Sequence, residues 1–212
     1  MYALITDGSI AKYLRGNSGI TIGSIQYPRD IFSKWTEAQR NAIGIFEVIQ
    51  NNAKKKDEVY YINTDQTFTY DADAGTVTAT FGDATAKAHA DTTWTQNQID
   101  AGLAPAGADT DTVAIEGLKT IKIRAVKKQA ANILAETDWY IVRKADANTA
   151  IPSAITTYRA AVRTKCASME TAITNASNTP AIETLYTYVN TADEGDPVVM
   201  ERPLGEFPEL GS

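Results

Sequence analysis

Residues Ala135 to Arg143 read Ala-Glu-Thr-Asp-Trp-Tyr-Ile-Val-Arg, and residues Ile151 to Arg163 read Ile-Pro-Ser-Ala-Ile-Thr-Thr-Tyr-Arg-Ala-Ala-Val-Arg. One helical pattern stops just before Trp139. A second starts near Pro152, where proline is tolerated because the first turn has no intrahelical acceptor for its missing N–H. Upstream, Leu118, Ile121 and Ala125, joined by Val126, Ala130, Ile133 and Leu134, form a broad apolar face that drifts around the axis. Downstream, Ile155, Tyr158, Val162, Cys166, Met169 and Ile173 recur at steps of three and four, which puts them on one stripe. Thr157, Arg163, Thr164, Ser168 and Thr171 fall outside that stripe. The stretch therefore predicts a helical hairpin. A third short helix is expected from Thr179-Pro180 to about Asn190, presenting Ile182, Leu185, Tyr186 and Val189.

Two helices with one stripe each share a thin core. Burying a large apolar side chain contributes about 1.5–3 kcal/mol, and ordering each residue's backbone costs about 1–2 kcal/mol. A third layer is needed, from the rest of the chain or from another copy, and this argument predicts a partner or a homo-oligomer.

The first hundred residues read differently. Tyr2 to Ile5, the region of Ile20 and Ile22 closed by Pro28, and Ile45 to Ile49 have strand character. Thr36 followed by Gln39 is a capping box, so a short helix is expected over Glu37 to Ala42, ended by Gly44. Glu58 to Asn63, Thr67 to Asp71 and Thr76 to Phe81 are rich in Tyr, Thr, Val and Phe and predict a three-stranded meander, with a turn at Asp71 to Gly75. From Gly82 to Asp111 the chain is rich in Ala, Thr, Asp and Gly. That composition reads as an irregular connector with one helical turn at Thr95 to Asp100.

The expected class is α+β: an antiparallel β domain over 1–103, a linker over 104–112, a helical hairpin domain over 113–192 and an extended acidic tail over 193–212. Pro203 and Pro208 bar a helix from the tail. Leu204, Phe207 and Leu210 are larger and more apolar than a free tail requires. They predict packing on the chain's own domain or, in the sharper reading, docking on a neighbouring subunit.

Charge is uneven along this net −6 chain: residues 1–112 carry 9 basic and 14 acidic side chains, 113–175 carry 10 and 5, and 176–212 carry 1 and 7. The basic middle suits an acidic partner or the chain's own tail. Nucleic acid is disfavoured, because no aromatic stacking platform accompanies those charges. No 18-residue apolar run predicts a membrane span. The opening Met-Tyr-Ala-Leu-Ile-Thr-Asp lacks the pattern of a signal peptide, and the single cysteine, Cys166, excludes an intrachain disulfide; both point to a reducing cytoplasm.

Catalytic patterns are sparse. The one histidine, His89, lies in a small-residue loop, and Cys166 falls on the apolar stripe of a helix. One histidine and one cysteine do not make a zinc site. Asp71 and Asp73 resemble the opening of a calcium loop, but the later ligands are missing. No glycine-rich phosphate loop occurs. We expect no catalytic residues, no metal and no cofactor. Of the tryptophans, Trp35 reads as a staple before the Thr36 cap, Trp139 as core at the hairpin turn, and Trp94, in the polar connector, as a contact residue.

Thr137-Asp138-Trp139, Arg143, Ile151-Pro152 and Tyr158-Arg159-x-x-Val162-Arg163 together resemble the C-terminal region of bacteriophage tail-fibre-assembly and tail-assembly-chaperone-like proteins. Met1 to Ile5, the Pro28 region and Gly44 to Val48 are similar to the leading domain of such proteins. The resemblance covers about half of the chain, in two pieces, and departs from the family over residues 82–112. It implies a non-enzymatic tail-region protein, either a virion structural subunit or an assembly factor. Its partners would be other tail or fibre proteins, met in the host cytoplasm during assembly or in the virion tail. The family lends no active-site residues. The partner-facing set expected from residues and resemblance together is Trp94, Trp139, Tyr158, Arg159, Arg163, Leu204, Phe207 and Leu210. The alternatives from other classes are a carbohydrate-binding module that uses Trp94 or Trp35, and a glycosidase that uses two facing carboxylates.

Overall fold

The computed structural model describes residues 1–211. It is a mixed α+β chain that divides into two compact units, Met1–Thr85 and from Ala86 onward. The division falls ahead of the linker that composition placed at 104–112.

In the first unit, strands β1 (Tyr2–Thr6) and β2 (Ser9–Leu14) form a hairpin. The two-residue Asp7-Gly8 turn between them takes positive φ at both positions, the conformation that matches strand twist. A second hairpin, β3 (Ile20–Ile22) and β4 (Ile25–Tyr27), leads to the short helices α1 (Ile31–Lys34) and α2 (Glu37–Asn41). The Thr36–Gln39 capping box starts α2 as expected. Strands β5 (Ile45–Asn51), β6 (Tyr61–Ile62), β7 (Gln66–Asp71) and β8 (Thr76–Phe81) follow.

The main sheet has the order β2-β1-β5-β8-β7. The expected antiparallel meander is corrected here. β7 and β8 pair antiparallel, but β8 runs parallel to β5, and β6 stays outside this sheet. The sheet is curled: Tyr13 on β2 meets Phe68 on β7, the two edge strands, with ring centroids 4.6 Å apart. One face buries Ala3, Phe46, Val48, Val77 and Ala79. The other packs Leu14 and Ile45 against Ile20 and Ile31, with Trp35 half-buried at the margin, edge-on to Tyr27.

Strand β9 (Thr85–Ala86) marks the division, and the second unit continues through β10 (Thr92–Thr93), α3 (Gln96–Asp100) and β11 (Val113–Ile115). Four helices follow: α4 (Leu118–Ala135), α5 (Asp138–Ala147), α6 (Ser153–Asn175) and α7 (Thr179–Tyr186). A small hairpin of β12 (Val189–Asn190) and β13 (Met200–Glu201) precedes the last turns.

Residues read as an irregular connector have a structural task. Leu118 and Lys119, in the first turn of α4, donate their backbone N–H groups to the carbonyls of Ala88 and His89, each at 2.9 Å. Asp91 accepts from the Gly117 N–H at 2.6 Å and from the Thr120 hydroxyl at 2.9 Å. Thr179, opening α7, donates to the Lys87 carbonyl at 2.6 Å. The strand pair β10–β11 then ties Thr92 and Thr93 to Ile115 and Val113. Residues 87–91 thus satisfy donors that a helix start leaves without partners.

The core of this unit lies between α4 and α6 and comprises Val126, Ala130, Val162, Cys166, Met169, Ile173, Leu204 and Phe207. The α6 stripe is the one expected, except that Arg159 is buried beside a half-buried Tyr158. On α4 the seam is rotated from expectation: Leu118, Val126 and Ala130 are buried, whereas Ile121 and Ala125 are exposed. The third layer comes from this chain. Leu204 and Phe207 close the helix pair, and the Leu204 N–H is anchored on the Leu185 carbonyl at 3.0 Å. The tail is therefore not extended throughout, and the thin-core argument for a second copy lapses. Among the described residues, no helix is long and apolar enough to cross a membrane.

Candidate functional site

Thr137 and Asp138 of the Thr-Asp-Trp motif converge on the buried guanidinium of Arg159, from the Tyr-Arg motif. Arg159, 6% exposed, points inward from α6. It donates to the Leu134 carbonyl at 2.7 Å, the Thr137 hydroxyl at 2.6 Å and the Asp138 carboxylate at 2.8 Å. Thr137 in turn donates its hydroxyl to the same Leu134 carbonyl at 3.0 Å. Leu134 lies in the last turn of α4, where carbonyls lack intrahelical donors and a positive charge is favourable. Arg159 therefore locks the α4–α5 corner. Its expected role as a partner contact is corrected: a buried cation held by three internal acceptors is not available to another molecule.

That lock sets α5 in place with much of its surface bare. Trp139 is 51% exposed and Val142 65% exposed, and no residue of α5 is buried. Trp139, Val142 and Arg143 share one side of the helix through their spacing of three and four. Trp139 stacks on Tyr140 with centroids 3.7 Å apart, and the Arg143 guanidinium lies 4.8 Å from the first ring and 5.3 Å from the second. The expectation that Trp139 is core fails. Only the corner before it is sealed, and its indole faces outward with a cation beside it. This combination of aromatic, aliphatic and arginine surface is the chemistry enriched at protein interfaces.

The other expected contacts scatter. Tyr158 lines a groove of about 400 Å³ with Ala154 and Thr157 of α6 and with Pro208 and Leu210, and Leu210 is 53% exposed. Arg163 is exposed on α6. Leu204 and Phe207 are buried in the chain's own core, which corrects the docking-peptide reading for both. Trp94 is half-buried beside the β10–β11 pair, its backbone N–H donating to the Thr112 carbonyl at 3.1 Å. Tyr140, Ile141 and Val142 escape the sequence reading because they lie between the two helical patterns, one stopping before Trp139 and the next starting near Pro152, where α5 stands. Two signals were present: Asp138 in a first helical turn, and Asn148 as a left-handed stop, at φ +51°.

Elsewhere the chemistry is quiet. Cys166 donates its thiol to Glu170 at 3.3 Å, and burial, then Glu170, pushes its pKa up, so it stays protonated and poorly nucleophilic. No hydrogen bond joins it to His89. The Asp71 carboxylate accepts from the backbone N–H groups of Asp73 and Ala74, both at 3.0 Å, which is ordinary turn capping. Among the described residues, no cluster of three or more His, Cys, Asp or Glu side chains is placed to hold a metal ion.

Compared with protein-family models, curated proteins and solved structures, the chain matches none.

Proposed function

We propose that this chain is a non-enzymatic bacteriophage tail-region protein, a structural subunit or an assembly factor, that binds a tail or fibre protein through the α5 side carrying Trp139, Val142 and Arg143. The observation that carries the reading is the bare Trp139–Val142 surface, set directly on the Arg159 lock. Trp139, Arg143 and Arg159 are among the residues that carry the family resemblance, which supports this corner as the place of a family-wide contact. Exposed tryptophan and valine cost solubility unless something covers them. Arg143 adds a cation for an acidic or aromatic partner.

The test is co-expression with each tail and fibre protein of the phage that encodes the chain, read by co-elution. One of them is expected to co-elute with the wild-type chain, and the Trp139→Ser/Val142→Ser variant to lose it while remaining folded. Co-elution of none, or unchanged co-elution of the variant, overturns the reading. Protein analysis of purified particles separates the two roles: a stoichiometric component is a subunit, and a protein absent from particles is an assembly factor. A sugar site built on Trp94 or Trp35 has less support, because Trp35 is packed edge-on to Tyr27 and Trp94 is half-buried.

A further inference from the structure

A second surface, in the first unit, is built differently from the α5 side. The loop from Arg15 to Gly19 joins β2 to β3 and walls a cleft of about 360 Å³, a volume within the range of small-ligand sites. Two glycines fix the loop. Gly16 has φ +72°, and a Cβ there would stand 3.1 Å from the Tyr2 ring and 3.3 Å from the Phe32 ring. At Gly19 a Cβ would stand 2.7 Å from the Tyr27 carbonyl oxygen. The loop thus rests against rings and backbone at both ends. Phe32 is itself held: its ring lies 5.0 Å from that of Tyr2, and its carbonyl accepts the Tyr2 hydroxyl at 3.2 Å.

Around this fixed loop the polar groups have one character. Lys12 and Arg15 line the cleft, together with Asn17, Ser18 and Thr21, and no acidic residue does. In a chain of net charge −6, a cleft with two cations and no anion is a local reversal. None of Lys12, Arg15, Asn17 and Ser18 spends its side chain on a hydrogen bond or ion pair with another described residue. The donors are unspent, the frame is rigid, and Phe32 supplies an aromatic surface. Cations recognise a carboxylate or phosphate. Amide and hydroxyl groups recognise ring hydroxyls, and an aromatic ring packs on a sugar's apolar face.

We propose that this cleft binds an acidic sugar, a polyhydroxylated ring carrying one carboxylate or one phosphate, with Lys12 and Arg15 pairing the anion and Asn17, Ser18 and Thr21 meeting the hydroxyls. The proposal is independent of the α5 reading and uses none of its residues.

The experiment is titration of the full-length chain with glucuronic acid and with glucose 6-phosphate, followed by calorimetry and by amide chemical shifts. Glucose, acetate and inorganic phosphate are the controls. At least one acidic sugar is expected to bind about tenfold tighter than glucose and than its own bare anion, with weaker binding as salt is raised. Which acid binds distinguishes a carboxylate source from a phosphate source. The Lys12→Ala/Arg15→Ala variant removes two exposed side chains and should stay folded by circular dichroism while losing that preference. Ser18→Trp, which fills the cleft from the loop, should block binding with both cations intact. Equal binding of glucose overturns the anion assignment, and equal binding of bare phosphate or acetate overturns the sugar assignment. No binding of either acid, or unchanged binding by both variants, overturns the site.

Discussion

Helices α5 and α6 stand on either side of the same arginine, yet one is sealed and the other is not. α6 presents Val162, Met169 and Ile173 to α4 and to the chain's own tail, and each of the three is at most 2% exposed. α5 carries Trp139, Ile141 and Val142, and each of these is more than 40% exposed. Hydrophobic content does not separate the two helices. What separates them is whether another element of the chain lies over the stripe. Leu204 and Phe207 return to cover α6, whereas α5 is tied to Arg159 through the polar corner at Thr137 and Asp138 and buries none of its residues. Stability therefore belongs to the α6 side and spare binding capacity to the α5 side.

The contrast breaks most severely if the cover over α6 is removed. Phe207→Ala should destabilise the chain by about 3–5 kcal/mol, the usual cost of truncating a core aromatic, measured by denaturant unfolding. Phe207 is 9% exposed within the main cluster. An unchanged midpoint would mean that the tail is a passenger and that the α4–α6 pair is closed by something else. A smaller loss is expected from Arg159→Met, which keeps most of the volume but leaves the Leu134 carbonyl and the Thr137 hydroxyl without their cation. The two groups still bond each other and the Leu134 carbonyl keeps the Thr137 N–H, so the loss is that of hydrogen bonds to a charged group, about 1.5–3 kcal/mol. Asp138 is half in water, so its ion pair adds little to that figure. This variant should also loosen α5 first, which local hydrogen exchange at residues 138–147 would read directly.

Much of this was legible in the sequence, and the failures share a cause. The α6 stripe, the capping box at Thr36, the helical turn at Thr95 to Asp100 and the helix opening near Pro180 were readable because each depends on residues close in sequence. Partners far apart in sequence left no such mark. Nothing in the pattern announced that Arg159 would reach Leu134, that Asp91 would cap α4, or that β8 would lie parallel to β5. The Asp7-Gly8 hairpin is an exception, a local signal that was present and passed over. Of the candidate interface, Trp139 and Arg143 were visible as motif residues. Val142 was not, because a short helix with no buried residue has no stripe to detect.

The starts of the two helices extend the contrast. α4 has a dedicated carboxylate from Asp91, whereas Thr137, ahead of α5, makes no capping bond and gives its hydroxyl to Arg159 and Leu134 instead. The Gly117 N–H, then the Thr120 hydroxyl, hold the Asp91 carboxyl below its ordinary value. Its folded pKa is depressed, so the carboxylate's contribution is complete above the unfolded value of about 3.9 and disappears as pH falls through the lower folded value. Asp91→Ala should lower Tm by about 2–4 °C near neutral pH, the scale of a lost helix cap in a chain of this size. The gap between variant and wild type should narrow on acidification below about pH 4. A gap that widens there would show that the carboxylate does not cap α4.

The smallest effect is the most discriminating. Val142→Ser on α5 should change stability by no more than about 0.5 kcal/mol, as for surface substitutions that touch no special feature. Val162→Ser on α6, the same chemical change at a fully buried position, leaves a hydroxyl in the core and should cost several times as much. If both serines prove equally damaging, α5 is packed in solution against something the isolated chain supplies, a second copy included, and concentration-dependent light scattering would reveal it. If only Val162 is sensitive, the apolar side of α5 contributes nothing to the fold, and its tryptophan and valine are explained only by what they bind.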